Sequence, residues 1–416
     1  MNSFKMYDVI VIGGGASGMM AAGVAGNKGK KVLLIEKNKN LGEKLKISGG
    51  GRCNITNAEE NIRTFVKFYG ESEDFLRSPF SQFGNKESFE FFEGQGLPLV
   101  VQDRKRAFPK TERALDVFNT LKKYMDKGNV VIKSNCSVLK ILSDSKTKNI
   151  VGIETKDGVY KAKSYILATG GVSHPETGST GDGFKWLKDL GHTVKDPSPN
   201  IVPIRVKERW VHVIKGVSIK NMKITFYLDG KKKFNAKGDV LCTHFGLSGP
   251  LILNSSKKVA DLLHEGLVTA TIDAYPSMDI GEYEKKIIKV FDENKNKILK
   301  NIVNEIAPVG TLNGLEILFQ DIDFNKKVHS ITKEERKLLC HTLKAMPVTV
   351  EGLMGYDRAV VADGGVVLTE INTKTMQSKM YNNLFITGDL LHITRPTGGF
   401  SLQLCWTTGY IAGINT

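Results

Sequence analysis

Cysteine is scarce and uninformative in spacing. The chain has five (Cys53, Cys136, Cys242, Cys340 and Cys405), scattered and with no Cys-x-x-Cys pair. Neither a zinc site nor a dithiol redox motif is signalled, so no metal is expected. The pattern fits reduced thiols in a reducing compartment. No stretch approaches the roughly 18 uninterrupted apolar residues that cross a bilayer, so no membrane partner is expected. Met1 to Met6 lead directly into Tyr7-Asp8-Val9-Ile10-Val11-Ile12 without a small-residue cleavage site, which argues against a signal peptide and for a cytoplasmic location. There is no internal repeat and no long disordered tract, which sets aside a repeat architecture.

What is present is an ordinary globular composition, 41% hydrophobic and 25% charged, over 416 residues. That length exceeds what one hydrophobic core usually supports, so two or three units are expected. The formal charge of +15 is spread over short groups such as Lys231-Lys232-Lys233 and the lysines between Lys285 and Lys300. A solvated lysine-rich surface is the plainer reading, and a nucleic-acid partner is not expected. The excess would also steer an anionic cofactor or substrate, while clustered phosphate contacts remain the rival explanation. Oligomeric state is not legible.

The first segment reads as a strand over Tyr7 to Ile12, a turn over Gly13-Gly14-Gly15-Ala16-Ser17-Gly18, a helix from Met19 to Ala25 ended by Gly29, and a second strand over Lys31 to Ile35. This is a βαβ unit. Residues 130–170 read as antiparallel strands, with Asp157-Gly158 as a hairpin turn. Pro197-Ser198-Pro199-Asn200 looks like a linker, and Ile224-Thr225-Phe226-Tyr227 suggests a small β unit beyond it. From about Ile280 to Leu343 the pattern is helical. A strand at Leu384-Phe385-Ile386 and an apolar helix from about Leu402 to Ile411 close the chain. The expected organisation is a Rossmann-like α/β domain over 1–190 and 357–416, a β-barrel insert over 191–278 and 346–356, and a helical subdomain over 279–345.

Gly13-x-Gly15-x-x-Gly18 carries the strongest chemistry. Its first glycine permits the tight turn, the second lets backbone approach a pyrophosphate, and the third allows close helix–strand packing. The helix that follows offers N–H groups and a positive dipole end to phosphates. Glu36, 18 residues beyond Gly18, ends the next strand at the spacing of a ribose-binding carboxylate. Downstream, Ala168-Thr169-Gly170-Gly171 and Thr387-Gly388-Asp389 each follow a strand. Such patterns resemble those of FAD-binding, two-dinucleotide flavoproteins, in which the second carboxylate grips the flavin's ribityl and phosphate region.

Ser48-Gly49-Gly50-Gly51-Arg52-Cys53-Asn54-Ile55-Thr56-Asn57 resembles the signature of the BaiN/YhiN-like bacterial flavoproteins, described as NAD(P)/FAD-dependent or aminoacetone-oxidase-family enzymes. Thr177 to Gly183, Thr243 to Pro250, Thr375 to Lys379 and Thr397 to Phe400 extend the match in order. The resemblance implies an FAD domain interrupted by a β-barrel and a helical unit. It also implies cofactor contacts from Gly13, Gly15, Ala16, Ser17, Gly18, Glu36, Lys37, Lys44, Gly49 to Asn54, Val138, Ala168 to Gly171, Gly388, Asp389, Thr397, Gly398, Gly399, Phe400 and Ser401. Asp389 stands where the family has Glu, Leu390-Leu391-His392 where it has a Leu-Asp pair, Ser401 where Asn is usual, and His174 where Tyr is expected.

Roles within that set stay open between chemistry and packing. Cys53 lacks the partner of a disulfide reductase, since Ala58 occupies the second position; it is either a lone reactive thiol or structural. Thr397-Gly398-Gly399 either caps the last helix or aims its dipole at the flavin pyrimidine edge, as the resemblance implies. His244 and His392 are candidate proton donors or packed and surface histidines. Arg106 meets either an anionic substrate or a structural acid. The expected function is hydride transfer through non-covalent FAD, with NAD(P)H as a transient donor and reduction of an activated double bond or carbonyl-type small molecule. Oxidation of a small amine is the alternative, and a tRNA-modifying or non-catalytic flavoprotein the rival from another class. No second GxGxxG in a strand–helix setting supports a dedicated nicotinamide domain.

Overall fold

The computed structural model describes residues 6–359 and 361–416. The leader-free reading of the N-terminus falls on residues 1–5, outside that range. The chain divides into two compact units, one made from the stretches ending at residues 199 and 416, the other Asn200–Ala359.

In the first unit a five-stranded parallel sheet runs in the spatial order Leu384–Ile386, Ala162–Leu167, Tyr7–Ile12, Val32–Ile35, Val131–Lys133. Adjacent residues of a strand point to opposite faces. Val9, Ile10 and Val11 are all buried, so both faces are covered and the strand reads as an unbroken apolar run. Helix Ala16–Asn27 packs against the C-terminal helix Phe400–Ile414 through small residues. A Cβ on Gly409 would lie 2.4 Å from the Ser17 carbonyl oxygen, and one on Gly413 2.5 Å from that of Ala21.

Two expectations change. Of residues 130–170, only Val138–Asp144, Asn149–Thr155 and Gly158–Tyr160 pair antiparallel. Val131–Lys133 and Ala162–Leu167 join the parallel sheet, because a short apolar run looks the same in either setting. The Pro197-Ser198-Pro199-Asn200 stretch does carry the chain from the first unit into the second, but as part of the strand Val194–Asn200, paired with Val361–Val366, and not as a loop. A two-stranded ribbon has only edges, where proline's missing N–H is tolerated.

The second unit holds a closed six-stranded barrel, in the order Ile204–Val206, Gly246–Ser248, Lys231–Cys242, Ser218–Leu228, Val268–Asp273, Met346–Leu353. Helices Ile280–Glu293, Leu299–Ile306, Leu312–Leu318 and Lys333–Lys344 lie between its last two strands in sequence. They share one apolar core with the barrel, to which Ile224, Phe226 and Ile272 of the strands and Tyr283, Ile302 and Leu343 of the helices all belong. Among the described residues no helix is long and apolar enough to cross a membrane.

Candidate functional site

Strand Tyr7–Ile12 has Val32–Ile35 on one side and Ala162–Leu167 on the other, so the strand order reverses there. Such a switch point leaves a crevice beyond the carboxyl ends of the strands. A cleft of about 390 Å³ opens at that place, lined among others by Gly13, Glu36, Lys37, Val138, Thr169 and Trp186.

The three glycines of the turn differ in what surrounds them. Gly13 has φ +101, and a Cβ there would lie 2.5 Å from the Ala168 carbonyl oxygen. A Cβ on Gly18 would sit 1.9 Å from the Gly13 carbonyl oxygen, whereas one on Gly15 would meet nothing within 4 Å. Gly13 and Gly18 are therefore required by the protein's own packing, and Gly15 is not. Gly15 precedes Ala16 at the N-terminus of its helix, and no side chain caps that end. Its first N–H groups and the dipole are left for an anion.

Glu36 is buried at the rim of this turn. One carboxylate oxygen accepts from the Gly14 N–H at 2.7 Å and the other from the Asn38 N–H at 2.8 Å. Asn38 in turn donates to the Thr177 carbonyl at 2.9 Å, and Lys37 pairs with Asp182 at 2.7 Å. These bonds tie the second strand to the Thr177–Gly183 segment along one wall of the cleft.

The Gly49-Gly50-Gly51 run turns through φ values of +58, +67 and +85, and a Cβ on Gly50 or Gly51 would enter open space. Arg52 leans away from the glycines: its guanidinium lies 4.3 Å over the Phe108 ring and donates to Gln102 at 2.6 Å and Glu112 at 2.7 Å. Cys53 is fully buried with φ +60. Burial pushes its thiol up to about 12, against an opposing hydrogen bond with Ser48, so it holds its proton at neutral pH. Asn54, with its amide oriented to match its neighbours, donates to the Thr56 and Ala107 carbonyls and accepts from the Gly399 N–H at 3.0 Å. The N-terminal and C-terminal motifs are thereby clasped together.

A dense charge cluster lies behind Ala168-Thr169-Gly170-Gly171. Thr169 Oγ1 is buried without a partner. Lys44 donates to Ser173 Oγ at 3.1 Å and lies 3.8 Å from Asp389. Its ammonium is held below the ordinary lysine range by desolvation, with Asp389 opposing. Asp389 also accepts a hydrogen bond from Arg395. Burial disfavours the Asp389 carboxylate, but Arg395 and then Lys44 outweigh it and keep the carboxyl below its usual value.

Arg395 escaped the sequence reading. It is 3% exposed and donates further to the Ile393 carbonyl at 2.7 Å and to Ser401 Oγ at 3.1 Å. An arginine just ahead of a glycine-rich helix start, with a motif carboxylate six positions back, was the available signal. Ser401 thus finds its partner in Arg395. Beside it, Gly398 and Gly399 have φ +116 and +101, and a Cβ on Gly399 would lie 2.3 Å from the Thr56 carbonyl carbon. Thr397 belongs to the same loop. Phe400 packs 5.3 Å from Phe65, and Tyr69 donates to its carbonyl at 2.8 Å. Gly388 presses on Ser17, where a Cβ would approach Oγ to 2.8 Å.

The histidines separate. His392 lies in this unit with Nδ1 buried and unpartnered. His244 belongs to the barrel unit, exposed and edge-on to Phe245 at 4.9 Å. His174 bonds Glu176 at 2.8 Å, and Arg106 bonds the nearby Asp103 carbonyl at 3.0 Å. His192, silent in sequence, is buried between Glu370 at 2.7 Å and Ser378 at 3.0 Å. Among the described residues no group of three or more His, Cys, Asp and Glu is placed to hold a metal.

The sequence matches the family described as HI0933-like protein Rossmann domain over residues 7–415. It is 28% identical over 412 residues to the 3-dehydro-bile acid delta(4,6)-reductase of Clostridium scindens, covering 98% of each protein. It is also 28% identical over 412 residues to the ribosomal RNA dihydrouridine synthase of Haemophilus influenzae, covering 98% of this chain and 97% of that protein. The solved 3-ketosteroid-delta4-(5alpha)-dehydrogenase of Rhodococcus jostii RHA1, in complex with 4-androstene-3,17-dione, aligns with 100% of this chain and 98% of that one. Its TM-score is 0.55 at 15% identity, a likeness of fold.

Proposed function

The chain belongs to the HI0933-like Rossmann family of FAD-dependent oxidoreductases, and from that premise we propose that it reduces a carbon–carbon double bond conjugated to a carbonyl. The observation that carries this is the pair of full-length relatives at equal identity. A delta(4,6)-reductase of a 3-dehydro bile acid and a dihydrouridine synthase act on different molecules. Both names describe hydrogen added across a double bond that a ring carbonyl polarises.

The site fits the cofactor. The open space at Gly15, the uncapped helix end and the buried Glu36 suit a dinucleotide; Glu36 holds the ribose and the Ala16 helix end the pyrophosphate. By the family resemblance, Asp389 would hold the ribityl and phosphate region, and the N-terminus of the last helix, after Gly398-Gly399, would meet the pyrimidine edge. FAD, when bound, carries a hydride between donor and acceptor. The chain's own residues would orient it, with Arg395 buried, Asp389 largely so and Lys44 half-buried beside them. NAD(P)H docks transiently as donor, without a Rossmann unit of its own.

A second reading, in which the double bond belongs to a uracil ring carried on RNA, is favoured by the net charge of +15 and by the ribosomal RNA named for one relative. The deciding experiment is anaerobic: follow the flavin absorbance on adding NADH and then NADPH, and reoxidise with a steroid enone or a uridine-containing RNA. Bleaching by a nicotinamide and recovery with either acceptor is expected. A flavin that neither nicotinamide bleaches, but a small amine does, overturns the proposal.

A further inference from the structure

We propose that the outer face of the barrel hairpin Ser218–Leu228 and Lys231–Cys242 is an RNA-docking surface. This rests on the reading in which the reduced ring is carried on RNA. The two strands pair antiparallel, with Val268–Asp273 alongside. Ile224, Phe226, Leu228 and their neighbours Val268, Ala270 and Ile272 are buried inside the barrel, so the alternate residues face out. Across the hairpin those outward residues pair as Lys223 with Lys237, Thr225 with Asn235, and Tyr227 with Lys232. The register shifts between Phe226 and Tyr227, which leaves Lys233 as an extra exposed lysine between Lys232 and Phe234.

Two features separate this face from an ordinary solvated one. Lysines directly opposite one another in a sheet repel and destabilise it. Among the described residues, none of Lys223, Lys231, Lys232, Lys233 or Lys237 has a carboxylate partner to relieve that. The acid closest in register, Asp273, lies opposite Lys223 but is engaged by Lys344 at 2.8 Å. The remaining groups are a tyrosine, threonines and an asparagine, all able to hydrogen-bond or stack. A protein partner would call for an apolar centre, which this row lacks. Unpaired lysines around an aromatic ring suit phosphates and bases instead.

The test is binding of a uridine-containing RNA hairpin to the flavin-loaded chain over a series of salt concentrations. Three proteins are compared: wild type, the face variant Lys223→Gln/Lys232→Gln/Lys237→Gln, and the control Lys285→Gln/Lys289→Gln/Lys297→Gln. The wild type should bind with strong salt dependence. The face variant should lose about tenfold in affinity at ~0.1 M salt, with the log–log slope reduced by about 2, at ~0.7 per lysine. The control should stay within about twofold of wild type. Equal losses in both variants, no loss in the face variant, or no wild-type binding would overturn the surface. Bleaching of the bound flavin by NADH or NADPH is read on the same samples and should be unchanged in the face variant, which shows that it is folded and loaded. If no enone or RNA reoxidises the wild type, the reduction reading fails, while a retained difference in RNA affinity still supports the surface.

Discussion

The Glu36 carboxylate accepts a 2.7 Å hydrogen bond from the backbone N–H of Gly14, joining the end of the second strand to the turn after the first. This holds the turn proposed to bind the pyrophosphate against the residue proposed to bind the ribose. Glu36→Ala removes a buried, charge-assisted acceptor and leaves that N–H unsatisfied. A loss of about 1.5–3 kcal/mol in FAD binding is expected. Titration of FAD into apoprotein measures it, and unchanged affinity would remove Glu36 from the site.

Gly15 and Gly18 make a discriminating pair. A Cβ at Gly15 meets no protein atom within 4 Å, whereas one at Gly18 would lie 1.9 Å from backbone oxygen. Gly15→Val should therefore keep apoprotein stability within about 0.5 kcal/mol yet release FAD. Gly18→Ala should destabilise the apoprotein itself by roughly 3 kcal/mol. Thermal melts of apo and loaded forms separate the two. A fully loaded Gly15→Val protein would contradict the assignment.

Cys53 stands in the most motif-rich stretch of the chain but is held as a thiol. With its pKa pushed up to about 12 by burial, the thiolate fraction at pH 8 is on the order of one in ten thousand. Iodoacetamide should leave Cys53 unmodified in the native protein, as mass spectrometry would show. Cys53→Ser should bleach at the wild-type rate. Rapid labelling, or a variant that binds FAD but no longer turns over, would restore a chemical role.

The parts legible in sequence were those whose cause is local. The run Tyr7 to Ile12, the glycines after it and Glu36 lie within one βαβ unit whose spacing shows it, although Gly13 also meets Ala168 from across the sheet. Arg395 was missed although Asp389, Ser401 and Ile393 lie within six positions of it, because nothing in the pattern shows that they close into a buried pocket. His192 was silent because Glu370 and Ser378 reach it from 178 and 186 positions away. Val131–Lys133 and Ala162–Leu167 misled because strand direction is decided by connection, not by the run of residues.

The Arg395–Asp389 pair yields a pH signature whose sign can be worked out. Asp389's carboxyl is lowered in the folded protein, so its ionisation stabilises the fold above the unfolded value of about 3.9. That contribution is lost as pH falls through the lowered folded value. In Arg395→Gln the burial that opposes ionisation keeps only Lys44 against it, and the carboxyl should move above its usual value. The dependence then reverses: relative to wild type, the variant gains stability as pH falls from about 7 to about 5. At pH 7 it should be less stable by about 3–5 kcal/mol, since removing one partner strands a buried charge. Arg395→Lys, which keeps the charge but loses the forked geometry, should fall between the two. Urea denaturation at several pH values reads all three proteins. Parallel pH profiles for wild type and Arg395→Gln would show that Arg395 does not hold Asp389 ionised.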